Sequence, residues 1–583
     1  MAAMHVVSAL LAASALAAAL GSAGSRLRRL CRFPVRPGLR LPVDFLLGSW
    51  GLAVVVLALG LGHVWSRGML LATLAALAAA GRWRRCGWKW SHVGPAALGA
   101  LVALPAAFPP PYFYDALVYH LGLPWQALLE GGLFPHPESV FSSFPPLAQL
   151  VAAVPLSVGL VRVPALVHWC SFVAAGTAAA ALARELGAPR WAAFLAAFSL
   201  PLLPGHALIP ALPAAEGWAL AGALAAAAVV LAPTTKPGTA LLAGLLVGIA
   251  SASRLQGVTW TFLIIGIVVL RGRRRWRVGW QALVGWVVGS VPWWAKNLVL
   301  LRDPFAPVGW QREGMATLWR DAGSLMHAPG FRGVVHELLA GLLPHVGYLA
   351  PLLLAALLAV VSLGKRPVRL AGLLAIAGLA AWGLTGSLPR FLATSVAVLA
   401  ALAASGARSR VGRWASSVAL GVTILAGLVF SVQEIRQLGG LALLSGSAAA
   451  VAPQWVSNDP RQAFAAASAL PADARVLFIG EPRGFGFPRP FVAPSQHDVS
   501  PVRRVLETSG SPGEACRRLR QQGLTHLLVN WGELGRLTVG YPVAPWRDPA
   551  TWRRWNTFVA SLGAPALEAK GVQVFVLPAQ SGP

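Results

Sequence analysis

Charge is what this sequence lacks. Only 12% of its 583 residues are Asp, Glu, Lys or Arg, while 56% are hydrophobic. A water-soluble protein carries about 25% charged residues, so half that amount leaves too little to cover a surface facing water. Cysteine is scarce as well. Cys31, Cys86, Cys170 and Cys516 form no CxxC pair and no Cys/His cluster, so neither a zinc site nor a disulfide framework is indicated. Acidic residues are the rarest charged class, 20 against 48 basic ones, which leaves a formal net charge of +28. In a soluble protein that excess would point to nucleic acid. Here the basic residues, nearly all Arg, sit in short loops between apolar blocks, and that pattern argues against nucleic acid.

What is present is apolar sequence in long blocks. Val43–Val64, Ala214–Leu231, Gly279–Ala295, Leu349–Leu363 and Trp414–Val432 are examples. A hydrocarbon core of about 30 Å needs roughly 17–25 residues per helix. The Ala-rich stretch Met4–Gly21 resembles a signal peptide, but its positive charge follows the apolar run instead of preceding it. It reads as a retained helix. The fold expected is an all-α polytopic membrane bundle with a small C-terminal α/β domain in the outer compartment. About 12–14 transmembrane helices fit that scheme, the segment Leu147–Leu160 being either a short span or an interfacial helix.

The basic loops give the bundle a direction. Arg26–Arg40, Arg82–Lys89, Arg184–Arg190, the turn at Lys236, Arg271–Arg277, Lys365–Arg369 and Arg408–Arg413 all belong inside if Lys and Arg mark the cytoplasmic side. The turn near Trp65, the loop Phe108–Val161, the turn His206–Pro213, the turn at Arg254, the loop Lys296–Val335, the turn Ser387–Arg390 and everything after Val432 then lie outside. The location expected is a bacterial inner membrane. Within Phe108–Val161 there is no Lys or Arg, but there are Asp115, His120, Glu130, His136 and Glu138. Tyr119–Gly131 suits a short helix at the membrane surface with Leu121, Trp125, Leu128 and Leu129 on one side, or else a loop that merely packs on the bundle. After Val432 strands are expected at Arg475–Ile479, His526–Asn530 and Val572–Leu577, with a helix over Pro512–Gln522. Gly480-Glu-Pro-Arg-Gly484-Phe-Gly486 is not a dinucleotide fingerprint.

Ionisable groups at membrane depth are costly and tend to mark sites. Asp115 and Glu216 fall at the outer face, where two carboxylates can act as a general base and its support or share a divalent ion. Each also suits the N-terminus of its own helix, where the dipole favours an anion. Arg254, Lys296 and Arg390 run against the positive-inside trend. Binding of a phosphate by charge-assisted hydrogen bonds is one reason for them, and snorkelling to headgroups is another.

These residues bring out a resemblance. Tyr114-Asp-Ala-Leu-Val-Tyr-His-Leu121 with Ser142-Ser-Phe-Pro-Pro146 resembles the first outer loop of bacterial GT-C membrane glycosyltransferases, relatives of the protein mannosyltransferases and of the aminoarabinose transferase. Pro292-Trp-Trp-Ala-Lys-Asn297, Asp303-Pro-Phe-Ala-Pro307 and Pro389-Arg-Phe-Leu392 follow in the family's order. The resemblance implies transfer of a sugar from a polyprenyl-phosphate donor to a hydroxyl acceptor at the outer face. It implies Asp115 and Glu216 as catalytic acids and Arg254, Lys296, Arg390 and His120 as candidates for the donor phosphate. Arg254 stands where relatives often have Lys, and Lys296 where they often have Arg. It divides the chain into extra helices (residues 1–92), a transmembrane core (93–433) and an outer domain (434–583). It implies no certain cofactor beyond a possible divalent metal ion. A flippase for lipid-linked sugars and a non-catalytic assembly subunit for envelope polysaccharide are the competing readings. The topology is open to test. Single cysteines near Gln311 and in the tail are expected to be labelled from outside intact cells, and labelling only after lysis would invert the scheme.

Overall fold

The computed structural model describes residues 2–81, 89–203, 208–232, 238–272, 274–311, 313–315, 346–385 and 389–578. The expected turn at Lys236, most of the loop Arg82–Lys89 and the part of Lys296–Val335 beyond residue 315 lie outside them.

The helical part runs α1 (Ala2–Leu30), α2 (Arg40–Leu61), α3 (Arg67–Gly81), α4 (Trp90–Leu101), α5 (Gly122–Glu130), α6 (Leu147–Leu156), α7 (Val163–Leu186), α8 (Arg190–Ser199), α9 (Glu216–Leu231), α10 (Thr239–Ser253), α11 (Gln256–Arg271), α12 (Arg275–Gly289) and α13 (Val291–Leu301). The helices Val346–Leu363, Arg366–Thr385, Ala393–Gly406 and Arg410–Leu438 complete it. Among the described residues, five segments are long and apolar enough to cross a membrane: Met4–Leu30, Pro37–Leu61, Val163–Leu186, Val346–Leu363 and Arg410–Leu438. Shorter apolar helices, α9 and α10 among them, pack with these into one hydrophobic core. The chain is a multi-pass membrane protein.

Several sequence expectations change in detail. α1 continues through Arg26, Arg28 and Arg29, so these bases lie on its last turns, where the helix dipole favours cations. Arg28 reaches the wholly buried Asp44 of α2 at 2.6 Å. The apolar block Gly279–Ala295 is not one helix. It divides at Ser290, between α12 and α13, and Pro292 lies in the first turn of α13, where its missing N–H leaves no bond unmade. α6 has only ten residues, all buried, so Leu147–Leu160 forms neither a span nor an interfacial helix. α5 does not lie on lipid either. Its Trp125 and Leu129 pack against an aromatic cluster of the C-terminal domain, while Leu128 packs on the bundle.

The C-terminal domain is built on a five-stranded sheet in the order β2-β1-β3-β5-β4. Its strands are β1 (Val476–Ile479), β2 (Phe491–Val492), β3 (His526–Asn530), β4 (Leu567–Ala569) and β5 (Val572–Val576). β1 pairs in parallel with β2 and β3, while β5 runs antiparallel to β3 and to β4. Side chains alternate between faces. Leu477, Ile479, Leu527 and Val529 face a core closed by Trp555 and Phe558. Val476, Phe478 and Leu528 face Phe464, Phe487 and the α5 side. Because both faces are covered, β1 is apolar throughout and β3 is apolar over Leu527–Val529.

Close backbone packing fixes the helices that carry the site. α10 has Gly244 and Gly248, and α12 has Gly285 and Gly289, the same four-residue spacing on both. Their faces cross so tightly that a Cβ at Gly244 would collide with the Ala282 carbonyl oxygen, and one at Gly285 with that of Leu241. In lipid, where no hydrophobic force draws helices together, such small-residue contacts supply the attraction. Gly244→Leu and Gly285→Leu are each expected to lower stability by at least ~1–3 kcal/mol, the usual range for overpacking. Thermal unfolding in detergent measures it, with the exposed Gly266→Leu as the control expected to change little.

Candidate functional site

Four segments far apart in sequence end together. Asp115 precedes a single wide turn, Ala116–His120, with π-helical bonding. Glu216 is the first residue of α9. Arg254 follows the last residue of α10 in an extended conformation. Arg390 lies in the turn Pro389–Phe391, just before the helix Ala393–Gly406. Their charged ends meet. Arg390 donates from a terminal nitrogen to Asp115 Oδ2 at 3.0 Å, and its Nε stands 4.0 Å from Glu216 Oε1. Arg254 forms an ion pair with the same Glu216 oxygen. Both guanidiniums lie near the Phe391 ring, that of Arg254 4.9 Å and that of Arg390 5.4 Å from its centre. The Tyr119 hydroxyl donates to Asp115 Oδ2 at 3.3 Å.

Above this set opens a cavity of about 730 Å³. The bundle contributes Asp115, Tyr119, His120, Arg254, Arg390 and Phe391, and the C-terminal domain contributes Gln496, His497, Arg536 and Tyr541. Phe113, Phe144, Val308 and Trp455 give it an apolar side. The volume falls within the range that takes a small molecule or a lipid headgroup.

The predicted residues divide three ways. Asp115, Arg254, Arg390 and His120 line the cavity. Glu216 lies beneath it, only 4% exposed, tying two arginines together. It does not cap α9 in the ordinary way, because its carboxylate accepts from the preceding Ala215 N–H. The free donor of the first turn, Gly217 N–H, is accepted by His168 Nε2 at 3.2 Å, and His168 Nδ1 donates to Leu212 O at 2.6 Å. Lys296 stands apart from the cavity. It is buried, and its ammonium donates to the carbonyls of Ser142 and of Phe144, the latter at 2.9 Å. Those carbonyls belong to the outer loop, so Lys296 holds the loop. Burial pushes the His120 imidazole down to about 3, so near neutrality it offers hydrogen bonds and no charge.

A divalent ion shared by Asp115 and Glu216 does not fit this arrangement. The Arg390 guanidinium bridges the two carboxylates, and Arg254 takes Glu216 from the other side. Among the described residues no group of three or more His, Cys, Asp or Glu side chains is placed to hold a metal ion.

No protein-family model matches the chain, and no curated protein matches it. Solved structures do. ArnT from Cupriavidus metallidurans in the apo state aligns with TM-score 0.50 and 16% identity, over 82% of this chain and 96% of that one. The chain has the GT-C fold. ArnT from the same organism bound to undecaprenyl phosphate aligns with TM-score 0.49 and 15% identity, over 86% and 100% of the two chains. An oligosaccharyltransferase of Archaeoglobus fulgidus, in complex with Zn and sulfate, aligns with TM-score 0.48 and 13% identity, over 75% and 67%.

Sequence reasoning gave no role to three residues that hold the site. His168 organises the start of α9. Arg162 closes the outer loop on itself, its Nε donating to Phe108 O at 2.6 Å. His136 clasps the far end of that loop, with Nε2 3.3 Å from Glu130 and Nδ1 3.2 Å from Glu138. Burial alone would lower the His136 pKa, but the two carboxylates outweigh it and raise it to about 9. Because the folded value lies above the unfolded value of about 6.5, the clasp stabilises fully below that pH and is lost as pH rises through about 9. The unfolding temperature in detergent is therefore expected to fall between pH 6.5 and 9.5, with His136→Gln flattening that slope. An equal slope in the variant would remove His136 as its source.

Proposed function

We propose that the protein is a glycosyltransferase that moves a sugar from a polyprenyl-phosphate donor to a hydroxyl acceptor, at the outer face of a bacterial inner membrane. The observation that carries this reading is the convergence of one cavity-facing carboxylate, Asp115, with two guanidiniums, Arg390 and Arg254, on the floor of a cavity with an apolar side. The GT-C fold supports it.

On this reading the Asp115 carboxylate accepts the proton of the acceptor hydroxyl as its oxygen attacks the anomeric carbon. The bond from that carbon to the phosphate oxygen breaks, and the lipid phosphate leaves with the electron pair. Arg390 and Arg254 stabilise the charge that develops on it. His120, neutral, can donate a hydrogen bond to the same group. Glu216 acts through the arginines, fixing where their guanidiniums stand, and Lys296 acts through the carbonyls of the loop wall. Glu216 is locked beneath the floor, so among the described residues no second carboxylate is placed to form a covalent sugar intermediate. A single displacement with inversion follows. The apolar side, Phe113, Phe144 and Val308, suits the first isoprene units of a donor arriving from the bilayer.

The test uses full-length protein in nanodiscs and a panel of radiolabelled undecaprenyl-phosphate sugars, scored for sugar release. Wild type is expected to turn over at least one member of the panel. Asp115→Asn is expected to reduce release by at least about 10²-fold, the usual share of a general base. Arg390→Ala and Arg254→Ala are each expected to lose about 10²-fold, as for removal of one charge-stabilising donor. Retained turnover in Asp115→Asn would overturn the assignment of the base, and normal turnover in both arginine variants would remove the phosphate site.

A further inference from the structure

The residue before Asp115 is held by the other domain. The Tyr114 ring contacts two guanidiniums of the C-terminal domain, Arg483 at 5.4 Å and Arg536 at 5.5 Å from its centre. Its hydroxyl donates to Glu533 Oε1 at 2.9 Å. Two residues beyond Asp115, the carbonyl of Leu117 accepts from Phe485 N–H at 3.2 Å. Asp115 is thus bracketed at positions −1 and +2 by contacts to one domain, and the span between them includes the start of the π-turn. Wide turns of this kind occur often at functional sites, where an extra residue re-aims a side chain.

The network behind Tyr114 is built for orientation. Glu481 and Arg483 form a buried ion pair at 2.7 Å, with side chains 0% and 3% exposed. Replacing such a pair by apolar residues is often neutral or stabilising, so stability alone does not account for it. Its guanidinium is fixed on every side. It donates to both Glu481 oxygens, to Ser457 O at 2.9 Å and to Asn458 O at 2.8 Å. A planar fork anchored in this way presents one defined face to the Tyr114 ring. Glu533, itself buried, accepts from Tyr114, Asn458 and Arg536 together. The segment Glu481–Phe485, which follows β1 and resembles no nucleotide loop, is thereby given a purpose.

We infer that Tyr114 is a positioning residue, through which the C-terminal domain sets where the Asp115 carboxylate stands relative to Arg390. The inference rests on the reading of Asp115 as the base. It makes the C-terminal domain part of the catalytic apparatus while placing none of the clamp residues on the reacting atoms.

The experiment compares Tyr114→Phe and Tyr114→Leu with wild type in nanodiscs, on the panel member that wild type turns over best. Tyr114→Phe loses only the bond to Glu533 and is expected to lower kcat about tenfold; Tyr114→Leu, which also empties the clamp, about a hundredfold, as for a misplaced catalytic group. KM for the donor is expected to stay unchanged in both. Hydrogen exchange over residues 113–121 is expected to quicken in Tyr114→Phe while bundle peptides keep their protection. Tyr114→Phe combined with Glu533→Gln is expected to be no slower than Glu533→Gln alone. Wild-type kcat and exchange in Tyr114→Phe would overturn the inference, as would a kcat loss matched by a rise in KM and a general loss of protection. Asp115→Asn in the same assay separates the two ideas. If it abolishes turnover while Tyr114→Phe does not change it, the base stands and the clamp falls; if it retains turnover, the base itself is wrong.

Discussion

The structure depends on one guanidinium serving two carboxylates. Arg390 reaches Asp115 of the outer loop and Glu216 at the head of α9, and Glu216 in turn holds Arg254 at the end of α10. Two acids and two bases sum to zero charge. A lone carboxylate as buried as Glu216 would cost several kcal/mol to desolvate, and losing one partner of such a set is far worse than never having built it. The four residues come from four separate segments, so satisfying this set fixes the relative placement of the loop, of α9, of α10 and of the helix Ala393–Gly406. The same set that closes the bundle is therefore the floor of the cavity.

On the proposed reading this arrangement also links binding to reactivity. With no donor present, Arg390 is committed to Asp115. An incoming lipid phosphate brings a stronger, multidentate acceptor for that guanidinium. As Arg390 turns toward the phosphate, the Asp115 carboxylate keeps the Tyr119 hydroxyl and gains freedom to take a proton. Glu216 stays in place, because Arg254 and the first turn of α9 hold it. The carboxylates thus divide the work by depth. The deeper one keeps the cations in position, and the one facing the cavity exchanges partners.

How much of this was legible in the sequence follows from the range of each interaction. Spans show as runs of apolar residues, and β1, β3 and β5 as short β-branched or aromatic runs, because burial leaves a mark on composition. Asp115, Glu216, Arg254 and Arg390 stood out because charge is expensive at membrane depth, and the structure brings those four together. Lys296 stood out for the same reason, yet its ammonium is spent on two backbone carbonyls, and a carbonyl partner leaves no trace in sequence. The roles of His168, Arg162 and Tyr114 were invisible on the same grounds. Each acts on a main-chain group or on a residue hundreds of positions away. The break at Ser290 was missed because Pro292 suits the first turn of a helix as well as a kink, and composition does not say which. For α5 the sequence left lipid and bundle both open, because an apolar face looks the same whether membrane or protein covers it.

That ambiguity of apolar faces bears on where the cavity lies. α5 has one face on the bundle and the other on the Phe478–Phe487–Phe491 cluster of the C-terminal domain. It therefore mortars the two parts together beside the site. Ion pairs between exposed groups are weak and screened by salt, whereas those in a low-dielectric wall keep much of their strength. On the proposed reading, a cavity set wholly in the bundle would exclude a polar acceptor, and one wholly in the domain would weaken the grip of Arg390 and Arg254 on a phosphate. The observed cavity has charged residues on its bundle side and Gln496, Tyr541 and Arg536 on the other, with Arg536 already neutralised by Glu533. On the proposed reading, a charged leaving group and a hydroxyl acceptor need these two environments within one reaction distance, and the seam between bundle and domain supplies both.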